Sequence, residues 1–136
     1  AAYMPQLLSA LGGENHNLLD LTIDVIICLR DALGIKTPIL RSSELEADGT
    51  NAELLVSICE EVGATHYISP PGSKDYLEKS DAFSRRGIPL HYFNFTHPEY
   101  PQQFNDFVSH MSVIDLLFNC GSGSLQLIEE GCEVFE

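Results

Sequence analysis

The strongest constraint on this chain is a spacing. β-favouring runs begin near residues 37, 65 and 88, and helix-like segments fill the intervals between them. Parallel strands cannot be joined by a tight turn, because the return crossover takes a dozen or more residues and is usually a helix. The spacing therefore predicts parallel strands joined by right-handed crossovers. The expected fold is α/β and three-layer, a mostly parallel sheet with flanking helices, Rossmann-like in arrangement.

The helices carry their own punctuation. "NLLDLTIDVIICLRDALG" follows Asn15 or Asn17 as N-cap, places Asp20, Asp24 and Asp31 on one polar stripe, and stops at Gly34. With the rest of its circumference apolar, it reads as a largely buried helix. "TNAELLVSICEEVG" offers Thr50 and Glu53 as a capping box, an apolar face at Leu54, Leu55, Ile58 and Val62, and Gly63 as its stop.

Of the β-like runs, "KTPIL" is interrupted by Pro38 and reads as an edge strand, whereas "THYIS" and "IPLHYFNF" carry fuller β and aromatic content. "SKDYLEKSDAF" reads as one or two helical turns, and "SLQLIEEGCEVFE" contains a further helix stop at Glu129-Glu130-Gly131. Three strands leave two exposed edges, which strands upstream of Ala1 would cover. The chain opens on Ala1-Ala2-Tyr3 without an initiator methionine, so it reads as a processed product or as part of something longer.

Composition limits the partners. With 136 residues, 44% of them apolar, residues 1–136 read as a single α/β domain. Twenty acidic residues against 7 Lys plus Arg give a formal charge of −13, which argues against nucleic acid and anionic lipid as partners. No run approaches the roughly 18 apolar residues of a membrane span, and no signal peptide is evident, so membrane insertion is not expected and a cytoplasmic location is. Cys28, Cys59, Cys120 and Cys132 form no CxxC pair and read as structural thiols. With no HxxxH or HExxH pair either, no metal and no cofactor is expected.

In open parallel sheets, ligands bind beyond the carboxyl ends of the strands. Those ends carry "RSSE", "SPPGSKDY" and "NFTHPEYPQ", which nominate Arg41, Ser43, Gly72, Ser73, Lys74, Tyr76 and Gln102 for substrate binding. "PPGSKD" can hold a phosphate or carboxylate ahead of a helical turn, but it equally suits a plain turn capped by Ser73. It lacks the spacing of a P-loop. His97 is the best placed of five histidines for proton transfer, and Tyr100 lies on the same edge; these two are the catalytic candidates. A turn histidine with no role, a packed Tyr100 and a solvent-facing Gln102 are the structural alternatives. His66 and His91 fall within strands and read as sheet residues.

"SVIDLLFNCGSG" resembles a catalytic cluster at first sight. Ser112 followed by Asp115 also makes a capping-box-like helix start, and Asn119 with Gly121 suits the helix end. Local structure accounts for its polar residues, so it is read as a core helix.

The ordered set "ILRSSEL", "ATHYISPPGSKDYL", "GIPLHYFNF", "YPQ" and "SVIDLLFNCG" resembles the WbqC-like protein family. The family pattern falls here on Ser43, Gly72, Lys74, Tyr76, Tyr100, Gln102, Ser112, Asp115 and Asn119. Members carry a further N-terminal portion, so the resemblance implies the C-terminal part of a longer domain. It also implies acyl or aminoacyl transfer to a nucleotide-linked amino sugar, within bacterial surface polysaccharide (O-antigen) biosynthesis. The alternatives are a noncatalytic sugar- or nucleotide-binding domain, and an assembly module whose sheet edge meets a homo-oligomer partner or another enzyme.

Overall fold

The computed structural model describes residues 3–13, 17–104 and 106–135. In chain order the elements are α1 (Met4–Leu11), α2 (Leu18–Leu33), α3 (Ala52–Glu61), β1 (Tyr67–Ser69), α4 (Lys74–Leu77), α5 (Ala82–Arg86), β2 (Leu90–Phe95), α6 (Val113–Cys120), α7 (Ser124–Gly131) and β3 (Cys132–Phe135). Short 3₁₀ turns lie at Ser42–Glu44, Pro71–Ser73 and Gly121–Gly123. The chain divides into two compact units, residues 1–37 with 97–131, and residues 38–96 with 132–136.

The first unit is helical. Asn17 caps α2, its side chain accepting from the Asp20 amide at 2.9 Å, while Asn15 and His16 lie outside the described residues. Gly34 closes the helix at φ +82°, its amide returning to the Arg30 and Asp31 carbonyls. The expectation of a largely buried helix is corrected: no residue of α2 is buried, and Leu18 and Leu19 are 74% and 53% exposed. Its packing partners in this unit are α1 and α6, which cover only part of its circumference.

α6 begins at Ser112, whose hydroxyl accepts from the Ile114 amide at 3.2 Å, and buries Leu116 and Leu117. Ser124, fully buried, shares its hydroxyl hydrogen between the carbonyls of Gly121 at 2.7 Å and Leu116 at 3.2 Å. That hydroxyl ties the start of α7 back to α6.

The second unit holds a three-stranded sheet in the order β1-β2-β3. Tyr67, Ile68 and Ser69 of β1 run parallel to Leu90, His91 and Tyr92, whereas β3 is antiparallel to β2, with Tyr92 opposite Phe135. The sheet is mixed rather than mostly parallel, because "CEVF" after the Gly131 helix stop returns as a strand. Residues 35–41 are irregular, so "KTPIL" is no strand; Pro38 has no amide hydrogen to give to a ladder.

α3 packs Ala52, Val56 and Cys59, at i, i+4 and i+7, against Leu77, Phe83 and Tyr92. The face expected from the sequence lies beside this one: Leu55 only lines the core and Val62 is 42% exposed. Two apolar stripes share the helix, and small Ala52 and Cys59 allow the closer approach. The Thr50/Glu53 capping box does not form. Asn51 takes the N-cap position at φ +50° without a side-chain cap, and the Glu53 carboxylate instead pairs with Arg85 of α5.

Alternation along the strands places Tyr92 on the core face and His91, Phe93 and Phe95 on the other. On that second face Ile68 and Val134 are more than half exposed. His91 stacks there on His66 at a ring distance of 5.4 Å.

Candidate functional site

The helical unit gathers an aromatic and acidic cluster from one loop and one helix. Tyr100 and Gln102 flank Pro101, which disfavours helix at Tyr100 and keeps the segment extended. In extended backbone, residues two apart project to the same side. Both side chains reach Asp115 of α6: Tyr100 Oη donates to Asp115 Oδ2 at 2.9 Å, and Gln102 Nε2 donates to the same oxygen at 3.1 Å. Asp115 lies in the first turn of α6, where the helix dipole favours a carboxylate.

Gln102 also closes the loop that follows. Its Nε2 donates to the Val108 carbonyl at 3.0 Å and its Oε1 accepts from the Val108 amide at 2.8 Å, as a paired strand would. Inside this loop Phe104 holds φ +74°, and His110 just beyond holds φ +62°, both in the left-handed region that disfavours side chains other than glycine.

His97 sits against the cluster, its ring centroid 6.2 Å from that of Tyr100, 5.8 Å from Phe107 and 5.3 Å from His110. Its Nδ1 lies 3.0 Å from the Pro98 carbonyl, which can only accept. The contact fits the tautomer in which Nδ1 donates. Tyr100 is 6% exposed, and burial first, then the Asp115 carboxylate, pushes its phenol above the ordinary range, so it stays a neutral donor. Burial and the Asp115 charge likewise push the Cys120 thiol up, which disfavours a thiolate nucleophile.

The remaining sequence candidates belong to the sheet-bearing unit. Arg41 precedes the Ser42–Glu44 turn and Ser43 is exposed within it; since residues 35–41 are irregular, neither follows a strand. Gly72, Ser73, Lys74 and Tyr76 do follow β1. The Ser73 amide donates to the Pro70 carbonyl at 3.1 Å and its hydroxyl does so at 2.7 Å. With its hydrogen spent there, Ser73 accepts from the Ser69 hydroxyl at 2.6 Å. The expected anion cradle thus loses the Ser73 amide to the turn itself. Lys74 Nζ lies 3.4 Å from Glu78 and 5.1 Å from the Tyr92 ring centroid. No group of three or more His, Cys, Asp or Glu able to hold a metal occurs among the described residues.

The structure brings Tyr100, Gln102 and His97 together and adds Asp115, which sequence reasoning had assigned to a helix cap. The signal existed: Tyr-x-Gln and Ser-x-x-Asp both belong to the family pattern. Their pairing, at sequence separations of 13 and 15, did not follow from either alone.

These features define an α/β protein with a small mixed sheet, flanking helices and a carboxylate held by a buried tyrosine and a glutamine. The chain belongs to the WbqC-like protein family, which it matches over residues 1–127. It is also similar to an uncharacterized protein of Mycobacterium tuberculosis, Rv1507c, with 30% identity over 109 residues. That match covers 79% of this chain and 46% of the relative, so the chain spans about half of the relative's length. No solved structure matches the chain. No helix among the described residues is long and apolar enough to cross a membrane.

Proposed function

We propose that the protein transfers an acyl or aminoacyl group to a nucleotide-linked amino sugar, as a cytoplasmic step of bacterial surface polysaccharide synthesis. The observation that carries this reading is the Asp115 carboxylate, fixed through Oδ2 by Tyr100 and Gln102, with the His97 ring against the Tyr100 ring. A carboxylate suits a primary amine, and Asp115 Oδ1 is the atom to receive it. In the transfer, the amine nitrogen attacks the donor carbonyl carbon. A C–N bond forms, the bond to the leaving group breaks, and one amine proton passes to His97 Nε2 and then to the leaving group. Tyr100 holds Asp115 in place throughout. In the sheet-bearing unit, Arg41, Ser43, Gly72, Ser73, Lys74 and Tyr76 are the substrate contacts of this reading. Further strands at a sheet edge, from a longer chain, a second copy or a partner, would extend the small sheet toward the three-layer Rossmann-like arrangement.

Incubation of the full chain with a nucleotide-linked amino sugar and acyl or aminoacyl donors tests the proposal, with the acceptor mass as readout. A mass gain that Asp115→Asn and His97→Ala abolish is expected; no gain with any donor overturns it. The second reading is noncatalytic sugar or nucleotide binding. It is favoured by the way Tyr100, Gln102 and Asp115 satisfy one another, as purely structural pins do.

A further inference from the structure

A groove of about 890 Å³ runs between α1 and α2, wholly within the helical unit. On the α2 side it is lined by Asp24, Ile27, Cys28 and Asp31, the i, i+3, i+4 and i+7 positions of one helix face. Tyr3 and Pro5 line it from the start of α1. The groove is no part of the unit's own core: Leu7, the buried residue of α1, is not in its lining, and no residue of α2 is buried.

Its chemistry is patterned along the helix. Seven residues of helix rise by about 10 Å, so Asp24 and Asp31 stand two turns apart with Ile27 and Cys28 between them. The lining holds no Lys, Arg or His. Arg30 pairs with Asp31 from outside that lining, and both of its bonds to the carboxylate go to Oδ1, at 2.9 and 2.7 Å.

We propose that this groove docks an amphipathic basic helix of a partner protein, which sets two cationic side chains seven residues apart against Asp24 and Asp31 and apolar side chains between them against Ile27 and Cys28. The proposal uses none of the residues assigned to the transfer reaction. Charge complementarity selects the occupant. The chain's formal charge of −13 attracts a cationic partner and repels nucleic acid or anionic lipid. A second copy would bring the same negative charge, and none of the described helices carries two basic residues seven apart. An extended peptide fits less well, because it covers about 10 Å in three residues, and residues three apart point to opposite sides of a strand. In a helix, residues seven apart share one face at that same spacing.

Fluorescence anisotropy on the full chain tests this with two labelled synthetic helical peptides of identical composition, built on alanine and leucine with two lysines. One carries its lysines seven residues apart beside the leucine stripe, and the other carries them on opposite faces. The seven-spaced peptide is expected to bind about tenfold more tightly, and Asp24→Asn combined with Asp31→Asn is expected to remove that difference without changing the circular dichroism spectrum. Equal binding of the two peptides overturns the proposal, since the overall charge alone would then attract them. Failure of both peptides to bind overturns it too, as does selectivity that the double variant retains. A chain that sediments as a dimer until Ile27→Asp separates it gives the groove to a second copy and likewise overturns the proposal.

Discussion

Tyr100 donates its phenolic hydrogen to Asp115 across 2.9 Å, which fastens the extended segment after β2 to the first turn of α6. A hydrogen bond to a charged acceptor contributes roughly 1.5–3 kcal/mol, and here the donor is buried. Tyr100→Phe is expected to lower stability by about that amount. In a urea-denaturation cycle with Asp115→Ala, most of the loss should appear as coupling between the two sites. Coupling indistinguishable from zero would show that the contact does not hold this loop.

Gln102 makes two bonds to the backbone of Val108 and a third to Asp115. Gln102→Ala removes all three and frees a loop that already holds Phe104 at positive φ. Amide exchange at Val108 should accelerate by an order of magnitude or more, because each lost bond is worth about 1 kcal/mol. Exchange as slow as in the wild type would mean that the loop is closed by other contacts.

Where the sequence carried local signals, the fold was legible. Asn17 and Gly34 bracket α2 as expected, and β1 and β2 fall on "THYIS" and "IPLHYFNF". Non-local choices were not legible. Nothing in "CEVF" shows that it pairs antiparallel with β2, and a helix with two apolar stripes does not reveal whether Val56 or Val62 faces the core. Tyr100, Gln102 and His97 were visible as candidates through chemistry and position. The role of Asp115 was hidden because a capping pattern explained it locally, and only the folded loop gives its carboxylate two outside donors.

Two glycines separate backbone need from open space. Gly34 stands at φ +82° with nothing within 4 Å of an added Cβ, so Gly34→Ala should cost about 1 kcal/mol from conformation alone. Gly72 has equally open surroundings and no positive φ, so Gly72→Ala should leave Tm unchanged. Weaker sugar or phosphate binding by a Gly72→Ala protein of normal Tm would mark that turn as a ligand contact. A Tm loss there equal to that of Gly34→Ala would contradict the backbone description.

Arg85 pairs with Glu53 and Arg86 with Glu60, both between α5 and α3, and all four side chains are about half exposed. Exposed pairs contribute roughly 0–1 kcal/mol and are screened by salt. Arg86→Ala should therefore cost less than about 1 kcal/mol, and the cost should shrink further at 1 M salt. A larger, salt-independent loss would point instead to packing of the arginine stem over α3.

Alkaline pH should weaken the fold in a defined order. Cys59 and Cys120 are pushed above the ordinary thiol value of 9.0, and Tyr92 and Tyr100 above the ordinary phenol value of 10.0, burial being the first cause in each. Between the ordinary and the raised value, the unfolded chain has lost a proton that the folded chain keeps. The native state then binds more protons, so stability falls as pH rises through that window and is unaffected by these groups below it. Denaturant unfolding should show a decline that sets in near pH 9, from the thiols, and steepens above pH 10 as the phenols join. Cys59→Ser should remove part of the earlier slope and Tyr100→Phe part of the later one, whatever each does to stability at neutral pH. Stability that stays level past pH 10, or slopes that neither substitution alters, would mean that these groups are as accessible to solvent in the folded chain as in the unfolded one.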